Sequence, residues 1–371
     1  MKRFITQKTI IWCLLGSIAL LLRYILGFFP HIIEQYYSRG IFLSVRAVID
    51  HFLAWLPFPL LYIFFSVLII VLIKRLIVFI RWKEGWKVKI IRAITSIIGF
   101  WMGIVFFFLV LWGYNYGRIS LEKKLGLDTQ PLSKEELWAE LQRETAEIID
   151  LRYTLSTSND SIALGKNDIP ENQSRILRDG LEGALAEMDY STFGKVRAKL
   201  IYPKGIFLRF SSSGLYFPLT GEGHVDAGLH PLQIPYVMTH EMGHGYGFGD
   251  EGTCNFLGYL GCIYSDHPFT RYAGHLAYWR TLAVNYQRYD YDQYWEFRHE
   301  LPMGIQADLD AINQTLRNYP DIMPKARYIA YNTYLKAQGI KEGMKNYNRV
   351  IMLVHAWKNK TTSLKQNEAS F

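Results

Sequence analysis

Long apolar runs fill the first third of the chain and are separated by short polar or basic segments. Three of them are long enough to cross a bilayer, which takes about 20 apolar residues; they are residues 9–29, 57–80 and 93–114. Between the first two, residues 41–55 have the pattern of an amphipathic helix lying on a membrane surface. The pattern therefore predicts an α-helical membrane region with three transmembrane helices over residues 1–114.

After this region the pattern becomes that of a mainly helical α+β domain with a small sheet, over residues 115–360. Ser133 and Glu136 have the spacing of a capping box and predict a helix start. Apolar spacing and β-branched runs predict the remaining elements: helices at 170–188, 251–264, 269–286, 291–300, 304–317 and 324–357 with a break near Gly339, and strands at 196–201 and 205–218. Residues 361–371 are polar and predict a disordered tail.

Charge divides the chain at the same place. Residues 1–114 contain 13 Lys and Arg against 3 Asp and Glu, whereas the remainder contains 28 against 30. A near-neutral second part excludes a basic nucleic-acid-binding surface, so we expect no nucleic-acid partner. The loop at 74–92 is short and basic, and such loops stay in the cytoplasm. The charges therefore predict a cytoplasmic N-terminus with residues 115–371 outside. In a bacterium with two membranes this describes an inner-membrane protein whose second part lies in the periplasm.

The candidate chemistry lies in the sequence His240-Glu-Met-Gly-His244. Residues four apart lie one turn apart on the same face of a helix, so both imidazoles would point at one spot. A catalytic zinc ion takes three protein ligands and keeps an open position for water. Glu241, beside the first histidine, is placed to accept a proton from that water. The motif predicts a Zn²⁺ site in a metallopeptidase.

Two neighbouring acids compete for the place of third ligand. Asp250 is the sixth residue after His244, with Gly247 between them, which is the spacing of a metzincin. Glu251 opens the following predicted helix, and Asn255, four residues later, is placed to hold the other nitrogen of an imidazole.

Other histidines and acids carry weaker signals. His275 on a neighbouring helix is a candidate for stabilising an oxyanion, although a structural histidine with a satisfied hydrogen bond is the simpler interpretation. His224, Asp226 and His230 have irregular spacing in a predicted loop and are interpreted as exposed polar residues. The aromatic residues of the later helices, including Tyr328 to Tyr334, are interpreted as core.

Several blocks of the sequence resemble an uncharacterised family of bacterial membrane proteins in the zincin-like metallopeptidase clan. They are Pro30 through Gly40, Pro57 through Tyr62, Leu219 through Glu222, the His240–His244 motif with Gly247-Phe248, Glu251 with Asn255-Phe256-Leu257, and Tyr334 through Gly343. The resemblance covers nearly the whole chain and implies a gluzincin-type site with Glu251 as third ligand. Thr253 and Cys254 depart from the family pattern, which usually has an acid and an alanine there. The function of that family is not established, so the resemblance does not indicate a substrate.

The sequence as a whole predicts a membrane-anchored zinc metallopeptidase that cuts a peptide or protein substrate outside the cytoplasm or in the membrane. The run from Ile206 to Leu219 is expected to hold the substrate in extended form by strand addition. The alternatives are a sensor or scaffold with a structural or vestigial metal site, and a structural membrane protein with no metal.

Overall fold

The computed structural model describes residues 6–155 and 161–368. The chain divides into two compact units. The first comprises Met1–Ile119, Phe193–Lys195 and Phe217–Glu222, and the second comprises Ser120–Thr192, Val196–Tyr216 and Gly223–Phe371. The main division lies close to the predicted boundary between residues 114 and 115, but the two short segments assigned to the first unit have no signal in the sequence.

The long N-terminal segment of the first unit is helical over most of its described residues. Its helices are α1 (Gln7–Leu26), α2 (Pro30–Ile32), a π-helix (Ile33–Ile41), α3 (Phe42–Leu53), α4 (Leu60–Arg81), α5 (Trp86–Leu111) and a 3-10 turn (Gly113–Gly117). Helices α1, α4 and α5 are long and apolar enough to cross a membrane and fall on the three predicted spans. Helix α3 falls on the predicted interfacial segment.

Small residues bring α1 and α5 together. A Cβ atom added at Gly99 would lie 3.2 Å from Thr9, and one added at Gly103 would lie 3.4 Å from Trp12. Close approach through small residues is how helices associate in a bilayer, where apolar burial gives no driving force between them. The most apolar window of α4, in contrast, is not buried within the described structure.

The second unit is a helical domain with one small sheet. Its elements are α6 (Leu121–Leu125), α7 (Lys134–Leu155), α8 (Gln173–Glu187), β1 (Ala198–Ile201), β2 (Gly214–Phe217), β3 (Glu222–Asp226), α9 (Ile234–Gly245), α10 (Glu251–Ile263), α11 (Pro268–Tyr286), α12 (Tyr291–Glu300), α13 (Met303–Arg317), α14 (Pro324–Ala337) and α15 (Arg349–Glu368). The end residues of β2 and β3, Phe217 and Glu222, belong to the first unit.

Helix α10 is the centre of this unit. Almost every residue from Glu251 to Cys262 is buried, as expected for a helix that is apolar on all faces. It packs against α8, α9, α11 and α15. Gly258 permits the close approach of α9, because a Cβ there would lie 3.2 Å from the Tyr236 carbonyl oxygen and 3.5 Å from the His240 Cβ.

The sheet has the strand order β1-β3-β2, with β1 parallel to β3 from the pair Ala198–Gly223 to the pair Ile201–Asp226. The sequence analysis interpreted His224, Asp226 and His230 as exposed polar residues of a loop. That interpretation is wrong for His224 and Asp226, which are fully buried in the central strand.

Asp226 also explains why the strand predicted over residues 205–218 is only partly present. Its carboxylate accepts hydrogen bonds from the backbone N–H groups of Gly205 at 2.7 Å, Phe207 at 2.8 Å and Leu208 at 3.1 Å. These bonds curl the first half of the segment into a 3-10 turn over Leu208–Phe210. The extended part shortens to the edge strand β2, so strand addition along the whole run from Ile206 to Leu219 is excluded.

Local signals at helix ends are confirmed. The Ser133 backbone N–H donates to Glu136 Oε2 at 2.8 Å, and the Glu136 N–H donates to Ser133 Oγ at 3.2 Å, which is the predicted capping box. The predicted break near Gly339 separates α14 from a 3-10 segment, Gly343–Asn348, and α15. Helix α15 continues to Glu368 where the sequence predicted a disordered tail; the rest of that tail, residues 369–371, lies outside the described residues.

Candidate metal centre

The motif helix α9 presents both histidines on one face. It carries Pro235 in its first turn, where proline is favoured. The chain leaves it through Gly247, whose φ of 84° suits a glycine. Within a few residues α10 begins at Glu251. This short turn between two packed helices brings the carboxylate of Glu251 back to the imidazoles of His240 and His244.

The three side chains converge on one point. Glu251 Oε2 lies 3.2 Å from His240 Nε2 and 3.6 Å from His244 Nε2. One ligand atom from each residue lies within 4.8 Å of the others, and all three residues are buried. Two imidazole nitrogens and one carboxylate oxygen form the donor set of a catalytic zinc site. These residues therefore fit a zinc ion that keeps a position open.

Hydrogen bonds on the far side of each imidazole fix which nitrogen faces the centre. His240 Nδ1 lies 2.8 Å from Asn255 Oδ1, and the Asn255 amide nitrogen donates to the Tyr347 carbonyl at 3.0 Å. His244 Nδ1 lies 2.7 Å from the Phe248 carbonyl oxygen. Both Nδ1 atoms face acceptors, so each imidazole presents its Nε2 to the common point, where a cation would take the place of any proton on Nε2.

A hydrogen bond to Oε1, the oxygen that faces away from the two histidines, fixes the carboxylate of Glu251. Tyr331 Oη donates to Glu251 Oε1 at 2.9 Å and lies 3.1 Å from the hydroxyl of Tyr347. Burial acts to raise the pKa of Glu251, but the imidazoles of His244 and His240 hold that pKa well below its ordinary value. Glu251 is therefore an anion whose free oxygen points at the two histidines.

Asp250 has a different role. It is the N-cap of α10 and accepts hydrogen bonds from the backbone N–H and the hydroxyl of Thr253, at 2.7 Å and 2.8 Å. Its other oxygen accepts from Asn346 at 2.8 Å and from Arg349 at 2.9 Å. With both oxygens engaged at the helix terminus, Asp250 stands outside the converging group.

Glu241 lies against the sheet. A Cβ added at Gly214 would lie 2.5 Å from Glu241 Oε1, and one added at Gly223 would lie 2.7 Å from the Glu241 Cβ, so only glycine fits at either position. Burial raises the pKa of Glu241 to about 7, against the effect of the nearby histidines. Within residues 6–155 and 161–368, its Oε2 has no hydrogen-bond partner. A buried carboxylate oxygen without a partner beside a metal-ligand set is able to hold water.

The remaining candidate histidine belongs to another group. His275 Nδ1 lies 2.6 Å from Glu144 Oε1, and the other oxygen of Glu144 accepts from Lys358 at 3.0 Å. The structure therefore gives His275 a buried hydrogen-bonding partner on α7, in agreement with the simpler of its two interpretations.

Sequence reasoning missed the residues that orient the ligands. Tyr331 was interpreted as core, Tyr347 was not singled out, and Phe248 contributes only its carbonyl group. No spacing rule marks them, because Tyr331 is 80 residues from Glu251 and any residue type supplies a carbonyl. The break near Gly339 was the one available signal, because it separates the two helices between which Tyr347 lies.

We expect Glu251→Ala to abolish stoichiometric zinc binding, because it removes one of three ligands and leaves the open site with two imidazoles. Asp250→Ala should keep about one zinc per chain while losing about 1 kcal/mol of stability as a lost N-cap. Metal analysis of the purified full-length variants measures the first effect, and thermal unfolding measures the second. Zinc retained in Glu251→Ala but lost in Asp250→Ala would contradict the ligand assignment.

Comparison with known proteins gives one match. A family model described as "Protein of unknown function (DUF3810)" matches residues 37–355. No curated protein and no solved structure matches the chain. The matched segment contains α9, α10, α14 and the 3-10 segment, and hence every residue of the candidate metal centre. Since it spans more than half of the sequence, the chain belongs to this family of proteins of unknown function, DUF3810.

Proposed function

We propose that this protein is a membrane-anchored, zinc-dependent metallopeptidase of the zincin-like, gluzincin type. The observation that carries the proposal is the convergence of His240, His244 and Glu251. Beside them lies the buried Glu241, whose Oε2 has no hydrogen-bond partner among the described residues. His240 and His244 offer Nε2, and Glu251 offers Oε2. A bound zinc ion would supply a Lewis acid that lowers the pKa of water and polarises a carbonyl group.

Glu241 is the proposed general base. Its Oε2 takes a proton from the attacking water as the new C–O bond forms at the peptide carbonyl carbon. The same carboxyl group then gives the proton to the amine nitrogen as the C–N bond breaks, so protons balance over one turnover.

Outer contacts support a preorganised site. Asn255 and the Phe248 carbonyl fix the imidazoles, and Tyr331 fixes the carboxylate. Residues in these positions raise ligand basicity, and their loss weakens metal affinity by roughly 10–100-fold. Hydrogen bonds that orient all three ligands are expected where those ligands must hold a metal ion and keep one coordination position open.

A second candidate is a membrane sensor or scaffold that keeps a structural or vestigial metal site. It is favoured by burial, because the exposed fractions of His240, His244 and Glu251 are only 8%, 7% and 4%. A peptide carbonyl needs access to the open coordination position. The two candidates therefore differ in whether Glu241 supports turnover.

The first prediction of the proposal concerns Glu241. Glu241→Gln keeps the size of the side chain and all three ligands, so zinc content and folding should be unchanged. Removing the proton acceptor should lower the rate by about 10²–10⁴-fold. Cells carrying Glu241→Gln should accumulate an uncut extracytoplasmic or membrane protein, measured by comparing cleaved-peptide inventories with wild type. Identical inventories with zinc bound in both proteins would favour the scaffold.

The second prediction concerns orientation. We expect the basic segment between α4 and α5 to lie in the cytoplasm and the second unit, after three spans, to lie on the outer, periplasmic side of the inner membrane. A reporter that is active only outside the cytoplasm should be active when fused after the last residue, Phe371. The same reporter inserted at Lys83 should be silent. The reverse pattern would rule out an extracytoplasmic substrate.

A further inference from the structure

The second unit contains a cleft of about 360 Å³ between α9, α11 and α13. Its walls are mainly apolar, from Leu232, Val237, Leu276, Val284 and Ile312. Polar groups at its edge include Ser213, Gln233, Asn285 and Asn348. A concave, mostly apolar surface with a few polar groups is the usual form of a ligand site.

Arg280 is the one charged residue among the described residues that line this cleft. No hydrogen bond or ion pair joins it to any residue in the described ranges, 6–155 and 161–368. Burial lowers the pKa of Arg280, since the surroundings disfavour its charge. The nearby His230 cannot balance the charge, because an imidazole is neutral or positive; burial and the guanidinium both lower the pKa of that imidazole.

The side chain of Arg280 is only partly buried, and none of its guanidinium nitrogens is buried without a hydrogen-bond partner, so water reaches them. Charges that are removed further from water are normally paired, because an unpaired buried charge costs stability. A ligand that fills the cleft would displace this water and would have to supply the partner. The partner must be an anion, and a planar five-donor guanidinium matches a carboxylate in a bidentate arrangement.

The cleft lies close to the candidate metal centre at three segments of the chain. Tyr236 lines the cleft one helical turn before His240 on α9. Ser213 lines it and directly precedes Gly214, whose backbone lies against Glu241. Asn348 lines it and directly follows Tyr347, which the ligand-orienting network includes. A peptide lying in the cleft would therefore lie beside the metal centre.

We infer that Arg280 is a specificity residue that binds a carboxylate of the peptide substrate, with an apolar side chain beside it on the cleft wall. The carboxylate is either the C-terminus of the peptide or an Asp or Glu side chain. This inference rests on the proposed peptidase function, because it takes the cleft as the place where the substrate lies.

The test uses the zinc-loaded, full-length protein in detergent, carrying Glu241→Gln so that probes are not consumed. The probes are two pairs of fluorescein-labelled random hexapeptide libraries. In the first pair the peptides contain no Asp or Glu and end either in a free carboxylate or in an amide. In the second pair all peptides end in an amide and carry either Asp or Asn at one fixed position. Fluorescence anisotropy should show about tenfold or tighter binding of one acidic library over its neutral counterpart, as a charge-assisted bidentate contact gives. Which pair differs identifies the source of the carboxylate.

Four variants assign the effect to Arg280. Arg280→Gln should reduce binding of the acidic library to that of the neutral one, and Arg280→Lys should recover part of the difference. Arg288→Gln removes the same charge just beyond the end of the same helix at an exposed position, and it should change nothing. Arg280→Met should leave the unfolding temperature unchanged or higher, whereas an arginine with a structural partner would lower it by several degrees.

The inference would be overturned if the acidic and neutral libraries bound equally, or if no library bound. It would also be overturned if Arg288→Gln lost as much affinity for the acidic library as Arg280→Gln. The proposed function is tested separately, by measuring zinc content and Glu241-dependent cleavage. Cleavage of acidic and neutral peptides alike would reject carboxylate selection and leave the peptidase intact. Carboxylate binding in a protein that neither holds zinc nor cleaves would reject the peptidase and leave the binding site.

Discussion

The carboxylate of Glu251 lies between two imidazoles, and much of the second unit serves to keep it there. Removing a carboxylate from water costs several kcal/mol unless partners replace the lost hydration. The partners here are His240, His244 and the hydroxyl of Tyr331. Supplying them requires α9 and α10 to meet closely, which Gly258 permits, and requires α14 to reach α10 across a long stretch of chain.

Two glutamates in this site are driven in opposite directions. Positive neighbours and a hydrogen bond keep Glu251 ionised, whereas burial brings the pKa of Glu241 to about 7. Pairs of carboxylates whose surroundings separate their pKa values commonly have separate roles in catalysis. The same logic applies to Arg280, whose charge has no partner in its cleft. Glu251, whose partners are supplied by the fold, is thus a proposed metal ligand, whereas Glu241 and Arg280 are proposed to act on water and on the substrate.

Local patterns predicted a large part of this structure. The spacing of His240 and His244 predicted the motif helix, and apolar runs predicted the three long helices of the first unit. The choice between Asp250 and Glu251 needed more, because adjacent helix residues point about 100° apart. Which one faces the motif depends on the turn at Gly247. The curl that Asp226 imposes on residues 205–208 was likewise hidden, since its cause lies in a strand that the sequence presented as a loop.

X-ray absorption spectroscopy of the zinc-loaded full-length protein measures which atoms bind the metal. With His240, His244 and Glu251 as ligands, the spectrum should show nitrogen and oxygen neighbours at about 2.0–2.2 Å, with the multiple-scattering signature of two imidazoles and no sulfur. Cys254 makes this a demanding test, because its Sγ lies 3.3 Å from His244 Nδ1 and is the soft donor close at hand. A sulfur neighbour at about 2.3 Å, or a spectrum unchanged by Glu251→Ala, would contradict the account.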